Sequence, residues 1–177
     1  MGLKFDIVVS NADESSVSAD VPVGIYVQEL ALLKASATAK HLLKRKKAVV
    51  ISADTVVTLD GEILGKPSNE EEAERMLSRL SGRAHEVYTG YCVMRVSDGK
   101  TVCSSVRTTV MFKNLSKETI RRYIASGEPM DKAGAYGIQG LGSMLVKGID
   151  GDYFNVVGLP VAALCDTLEE EFNINIL

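Results

Sequence analysis

Six side chains in this sequence could do chemistry together: Glu14, Lys34, Asp54, Lys66, Lys132 and Gln139. Asp54 can act as a general base or as a ligand for a hard divalent cation. Glu14 adds a second carboxylate, and two carboxylates suit an ion such as Mg²⁺ that keeps several of its waters. The lysines are point charges of the kind that bind phosphate, Lys66 above all, because it is set in a short Gly65-Lys66-Pro67 turn. Gln139 lies in a glycine-rich stretch, where an amide can read the edge of a base or orient a water. Taken alone, each has a plainer reading as a surface charge or a solvated turn. Together they point to metal-assisted phosphate chemistry on a nucleotide-like ligand.

The elements that must position these groups can be read from the pattern. Lys4–Val9 reads as a strand and Ser10–Asp20 as a polar loop carrying Asp13 and Glu14. Helical spacing runs from Val23 to about Lys46, with Tyr26, Leu30, Leu33, Ala37 and His41 on one face and Lys34 beside it. The basic run Lys44-Arg45-Lys46-Lys47 suits the negative end of the helix dipole. The apolar run Ala48–Ser52 is a buried-type strand that delivers Asp54 to its end. β-Branched residues follow, then a hairpin turn at Asp60-Gly61 and a short strand leading to Lys66. Ser68 and Glu71 have capping-box spacing for a helix Asn69–Leu80, with Ala73, Met76, Leu77 and Leu80 as its apolar side. A long hairpin, His85–Val96 and Lys100–Phe112, turns at Asp98-Gly99. Ser116 caps a helix that Gly127 ends. Gly127–Pro160 holds eight glycines, which implies tight turns or close backbone approach. Pro160 suits the start of a last helix, Val161–Phe172. The fold class is α/β, a mixed and twisted sheet with flanking helices.

The bulk properties exclude several classes. The 177 residues suit a single domain spanning 1–177 with a sizeable core. A net charge of −3 gives no footing for non-specific nucleic-acid binding, so an anionic ligand needs locally gathered cations. Three cysteines without a CxxC read as reduced thiols, and two distant histidines offer no zinc site. No apolar run reaches the ~18–20 residues of a membrane span, and the start has no secretory pattern. The chain is therefore expected in the cytoplasm, without a membrane partner. There is no P-loop and no G-x-S-x-G. His85 reads as a satisfied strand histidine. Arg83 is either a phosphate contact or a helix-end charge.

Several long segments resemble the Maf family of nucleoside triphosphate pyrophosphatases. They are Asp13-Glu14-Ser15, the Pro22, Tyr26 and Leu30–Ala35 block, Ser52–Val57, Ile63–Pro67, Met76–Gly90, Ser126–Gly140 and Gly151–Pro160. They run through nearly the whole chain in the family's order. The resemblance implies a two-lobed architecture like that of inosine triphosphatases. It also implies hydrolysis between the α- and β-phosphates to a nucleoside monophosphate and pyrophosphate, with Mg²⁺ or Mn²⁺. Asp54 matches the proton acceptor, close to the metal, with Glu14 as a second metal-side carboxylate. Thr55 and Gln139 match positions that set base preference. Asp-Thr and Ile-Gln here resemble the branch acting on dTTP and UTP rather than methylated GTP. Lys34, Lys66 and Lys132 match polar positions around the substrate.

The resemblance further implies that a strand and a Ser-x-Ser-Pro-Arg-Arg loop, which grips phosphate in the family, are missing ahead of this sequence. Two lost charge-assisted contacts at ~1.5–3 kcal/mol each would weaken catalysis by about 10²- to 10⁴-fold. The alternative is then a weak or inactive nucleotide-binding, regulatory relative. A bare sheet edge would favour a homodimer.

Overall fold

The run Val-Val-Ile-Ser-Ala-Asp-Thr-Val-Val-Thr-Leu is rich in β-branched residues, and it forms one long strand, β1, Val49–Leu59. It ends where Asp60 (φ 54°) and Gly61 (φ 82°) both take positive φ, the geometry of a two-residue hairpin turn. β2, Glu62–Leu64, returns antiparallel, with Thr58 opposite Ile63. β3, Ala84–Arg95, and β4, Thr101–Phe112, form the long hairpin expected. β5, Val146–Asp150, pairs antiparallel with β4. The computed structural model describes residues 4–45 and 47–176. Its sheet has the order β2-β1-β3-β4-β5 and is flanked by α1 (Val23–His41), α2 (Glu70–Leu80), α3 (Lys117–Ala125), α4 (Tyr153–Val157) and α5 (Val161–Phe172). The α/β class is as expected. The strand direction is narrower than expected, because this sheet is antiparallel. No helix among the described residues is long and apolar enough to cross a membrane.

Contacts divide the chain into two units. The first takes the chain up to Asp54, Thr89–Val106 and the chain from Gly158. Alternation along β3 sorts its core: Cys92 packs with Ala31, Ala35, Ala39 and Val50, whereas Tyr91 and Val93 pack with Leu164, Leu168 and Phe172 of α5. Gly90 shares the Cys92 side. A Cβ there would stand 2.2 Å from the Val27 carbonyl oxygen, so α1 lies directly on the strand.

The second unit comprises Thr55–Tyr88 and Arg107–Val157. Its core joins Ala73, Met76, Leu77 and Leu80 of α2, all buried as expected, to Val57, Leu59, Val87, Phe112, Ile120 and Tyr136.

Five local readings are corrected. Residues 4–9 form no strand. Phe5, Ile7 and Val9 alternate as a strand requires, but each is at least 78 % exposed and no described strand pairs with them. Strand propensity is realised only against a neighbour. α1 stops at His41 rather than near Lys46, which lies outside the described residues. The next turn closes through Arg45 N–H to the Leu42 carbonyl, and the Arg45 guanidinium pairs with Asp6 instead of capping the helix. The buried face of α1 is Val27, Leu30, Ala31, Ala35, Thr38 and Ala39, with His41 exposed. Alanines face the sheet because close approach at Gly90 leaves no room for larger side chains. The cap of α2 is Asn69, whose side chain accepts from Glu72 N–H, while Glu72 reaches back to Ser68. Finally, Cys92 and Cys103 are bridged by a disulfide, their Cα atoms 4.1 Å apart across β3 and β4. The Arg95 N–H to Lys100 carbonyl bond fixes a register that puts these two residues opposite each other.

Candidate active site

In the first unit, Ser52 and Asp54 share one face of β1 by strand alternation. Ser52 Oγ donates to the Ala31 carbonyl of α1 at 2.6 Å. One helical turn further on, the Lys34 ammonium contacts Asp54 Oδ1 directly and Glu14 Oε1 at 3.1 Å. Glu14 is carried on a 3₁₀ turn, Glu14–Ser16, which Asp13 caps by accepting from the Ser15 N–H and hydroxyl. These contacts, the hydroxyl first, hold the Asp13 carboxyl below its usual range. The acidic pair is exposed on its turn, yet both members are engaged: Asp13 builds the turn and Glu14 contacts Lys34. Burial acts against the charge on Lys34, but Asp54 and then Glu14 outweigh it and raise its pKa. The ammonium persists through neutral pH between two carboxylates. Asp54 lies mid-strand, five residues before the end of β1, and not at a strand end as its sequence suggests. The strand runs on to Leu59, and β2 pairs with its last three residues, Val57–Leu59.

The second unit holds another group. Gly134 N–H donates to the Gly65 carbonyl at 3.0 Å, tying the Gly65-Lys66-Pro67 turn to the glycine-rich segment. Lys132 Nζ lies 2.5 Å from Asp131. The Asp131 carboxyl is held below its usual range by Lys132 above all, with a smaller pull from Lys66. Thr55 is half-buried on β1. Gln139 is exposed and opens the 3₁₀ turn Gly140–Leu145. Arg83 forks onto Asp60 at 2.7 and 2.9 Å, which favours its structural reading. His85 is buried, with Nε2 2.7 Å from the Tyr136 hydroxyl and its ring edge-on to Phe112. Sequence reading missed Glu128 and Tyr123, which hold the turn around Gln139. Their spacing matches no short motif, and only the fold brings them to the turn.

No cluster of three or more His, Cys, Asp or Glu gathers as a metal site among the described residues. The donors at hand are the carboxylates of Glu14 and Asp54, each of which contacts the Lys34 ammonium through one oxygen. Hard anionic oxygens fit Mg²⁺ or Mn²⁺, which complete their shells with water and phosphate.

A family model described as Maf-like protein matches residues 1–171. The chain belongs to the Maf-like family. Among its relatives, a dTTP/UTP pyrophosphatase of Alkaliphilus metalliredigens is 49% identical over 175 residues, 99% of this chain and 89% of the relative. One from Bacillus cereus is 50% identical over 175 residues, 99% of this chain and 83% of the relative. One from a Thermoanaerobacter species is 45% identical over 177 residues, all of this chain and 91% of the relative. This Maf-like chain therefore carries its Glu14, Lys34 and Asp54 cluster within a matched stretch, as it does Lys66, Lys132 and Gln139.

Proposed function

We propose that this Maf-like protein is a nucleoside triphosphate pyrophosphatase that hydrolyses dTTP and UTP to the monophosphate and pyrophosphate. The observation that carries this is the Lys34 ammonium held between Glu14 and Asp54, three groups from separate segments. Lys34 and Asp54 are only partly exposed, and a cation gathered with two carboxylates at such a position is the kind of cluster that marks functional sites. Relatives about half identical over nearly the whole chain bear the name dTTP/UTP pyrophosphatase.

In this reading Asp54 accepts the proton of a water whose oxygen attacks one of the two bridged phosphorus atoms. As the new bond forms, the bond from that same phosphorus to the bridging oxygen breaks; its electron pair leaves with pyrophosphate when the α-phosphorus is attacked and with the monophosphate when the β-phosphorus is. Lys34 orients Asp54, while Lys66 and Lys132 carry the charge that grows on the phosphates. Thr55 and Gln139 set the base preference. Glu14 and Asp54 would hold a divalent cation, Mg²⁺ or Mn²⁺, which when bound supplies positive charge to the polyphosphate. The substrate belongs to the soluble nucleotide pool, so the work is placed in the cytoplasm.

Product analysis of a dTTP digest by phosphorus NMR tests the reaction type. Thymidine monophosphate and pyrophosphate are expected. Thymidine diphosphate with inorganic phosphate would overturn it.

A further inference from the structure

We infer that Glu128 is a positioning residue for Gln139, and through it for the choice of nucleobase. The second half of this statement rests on the function proposed above. The first half rests on geometry alone. The half-buried Glu128 carboxylate accepts three hydrogen bonds: Oε2 from Leu141 N–H at 3.0 Å, and Oε1 from Gly142 N–H at 2.9 Å and from the Tyr123 hydroxyl at 3.0 Å. That hydroxyl in turn accepts from Gly137 N–H at 3.2 Å. Backbone amides on both sides of Gln139 are thus tied to one carboxylate–phenol pair.

The glycines fit this arrangement. Gly140 has φ +65°, and a Cβ there would meet Glu128 Oε2 at 2.8 Å. A Cβ on Gly142 would meet the Gly137 carbonyl oxygen at 2.1 Å and the Tyr123 hydroxyl at 2.7 Å. The space that side chains would take is filled by the clamp itself. Tyr136, just before the turn, is anchored from the core by His85 at 2.7 Å. Gln139 is exposed at the crest, and its side-chain amide is bonded to no other described residue. A rigid base under an unengaged amide is what selective hydrogen bonding requires, because a mobile reader loses entropy with every ligand it meets. The phenol stays a donor, since burial first of all pushes its pKa above the usual range. Glu128 stays an acceptor: burial opposes its charge, but the two amides and the phenol outweigh it and lower its pKa.

The test compares wild type, Glu128→Ala, Glu128→Gln and Gln139→Ala, each with Mg²⁺, for kcat/KM on dTTP and on dCTP. Glu128→Ala should lose at least tenfold in the dTTP-to-dCTP ratio, mainly through the KM for dTTP, and approach the ratio of Gln139→Ala. Glu128→Gln, which keeps one acceptor oxygen but sets an N–H against that of Leu141, should fall between. A purely structural role would lower both substrates alike and leave the ratio at its wild-type value, which overturns the base-choice claim. Amide hydrogen exchange without nucleotide gives a separate reading. Leu141, Gly142 and Gly137 should exchange at least tenfold faster in Glu128→Gln and Glu128→Ala, while Ile120 and Ile124 of α3 stay protected. Unchanged exchange overturns the positioning claim. If wild type cleaves neither nucleotide, the proposed function fails, and exchange alone decides the role of Glu128.

Discussion

Gly90 of β3 lies directly against the Val27 carbonyl of α1: a Cβ added to the glycine would stand 2.2 Å from that oxygen. This contact sets how closely the helix carrying Lys34 approaches the sheet. Ser52, bonded to the Ala31 carbonyl, fixes it again nearer Asp54. The Lys34 and Asp54 contact therefore depends on a residue with no side chain.

Gly90→Ala should destabilise the protein by ~1–3 kcal/mol through overpacking, lowering the melting temperature by about 2–4 °C per kcal/mol. Calorimetry measures this. A wild-type melting temperature would show that α1 does not rest on β3 as described.

Lys34→Met removes the ammonium and leaves Glu14 and Asp54 without it. Charged hydrogen bonds of ~1.5–3 kcal/mol imply about a 10- to 100-fold loss in kcat/KM for dTTP. Lys34→Arg keeps the charge and should recover part of it. Coupled pyrophosphate release reads both variants, and an unaffected Lys34→Met would remove Lys34 from the mechanism.

Burial of His85 depresses its pKa to about 4, below the ordinary 6.5. The folded state then binds fewer protons than the unfolded state between these values. The stability from this group is complete above pH 6.5 and is lost as pH falls towards about 4. The full effect approaches ~3 kcal/mol. Urea unfolding between pH 7.5 and 4 should show this acid limb, and His85→Gln should flatten it. An identical limb in both proteins would contradict the assignment.

Much of this architecture was legible in the residues, and the failures have physical causes. Asp60-Gly61, Ser116 and the apolar side of α2 act through their own backbone or nearest turn, so local pattern found them. The segment from Lys4 to Val9 has the pattern of a strand but no described neighbour to pair with. Helical spacing points to the face of Tyr26, Leu33 and His41, whereas small residues, Ala31 and Ala35 among them, form the buried face of α1. Asp54 looked terminal because the polar Ser-Ala-Asp interrupts the apolar run, yet β1 continues to Leu59. Within the candidate site, residue chemistry and the family resemblance both point to Glu14, Lys34 and Asp54, which the structure brings together. Lys132 pairs with Asp131, a neighbour that spacing alone did not single out. Glu128 and Tyr123 escaped because they act on main-chain amides 13 and 14 residues away.

The central claim is that Asp54 takes a proton from water during pyrimidine nucleotide hydrolysis. Steady-state pyrophosphate release from dTTP with Mg²⁺, wild type against Asp54→Asn, tests it most directly. A general base contributes about 10²- to 10⁴-fold, so the variant should lose that much in kcat while its melting transition stays cooperative. A folded Asp54→Asn protein releasing pyrophosphate at the wild-type rate would contradict the account.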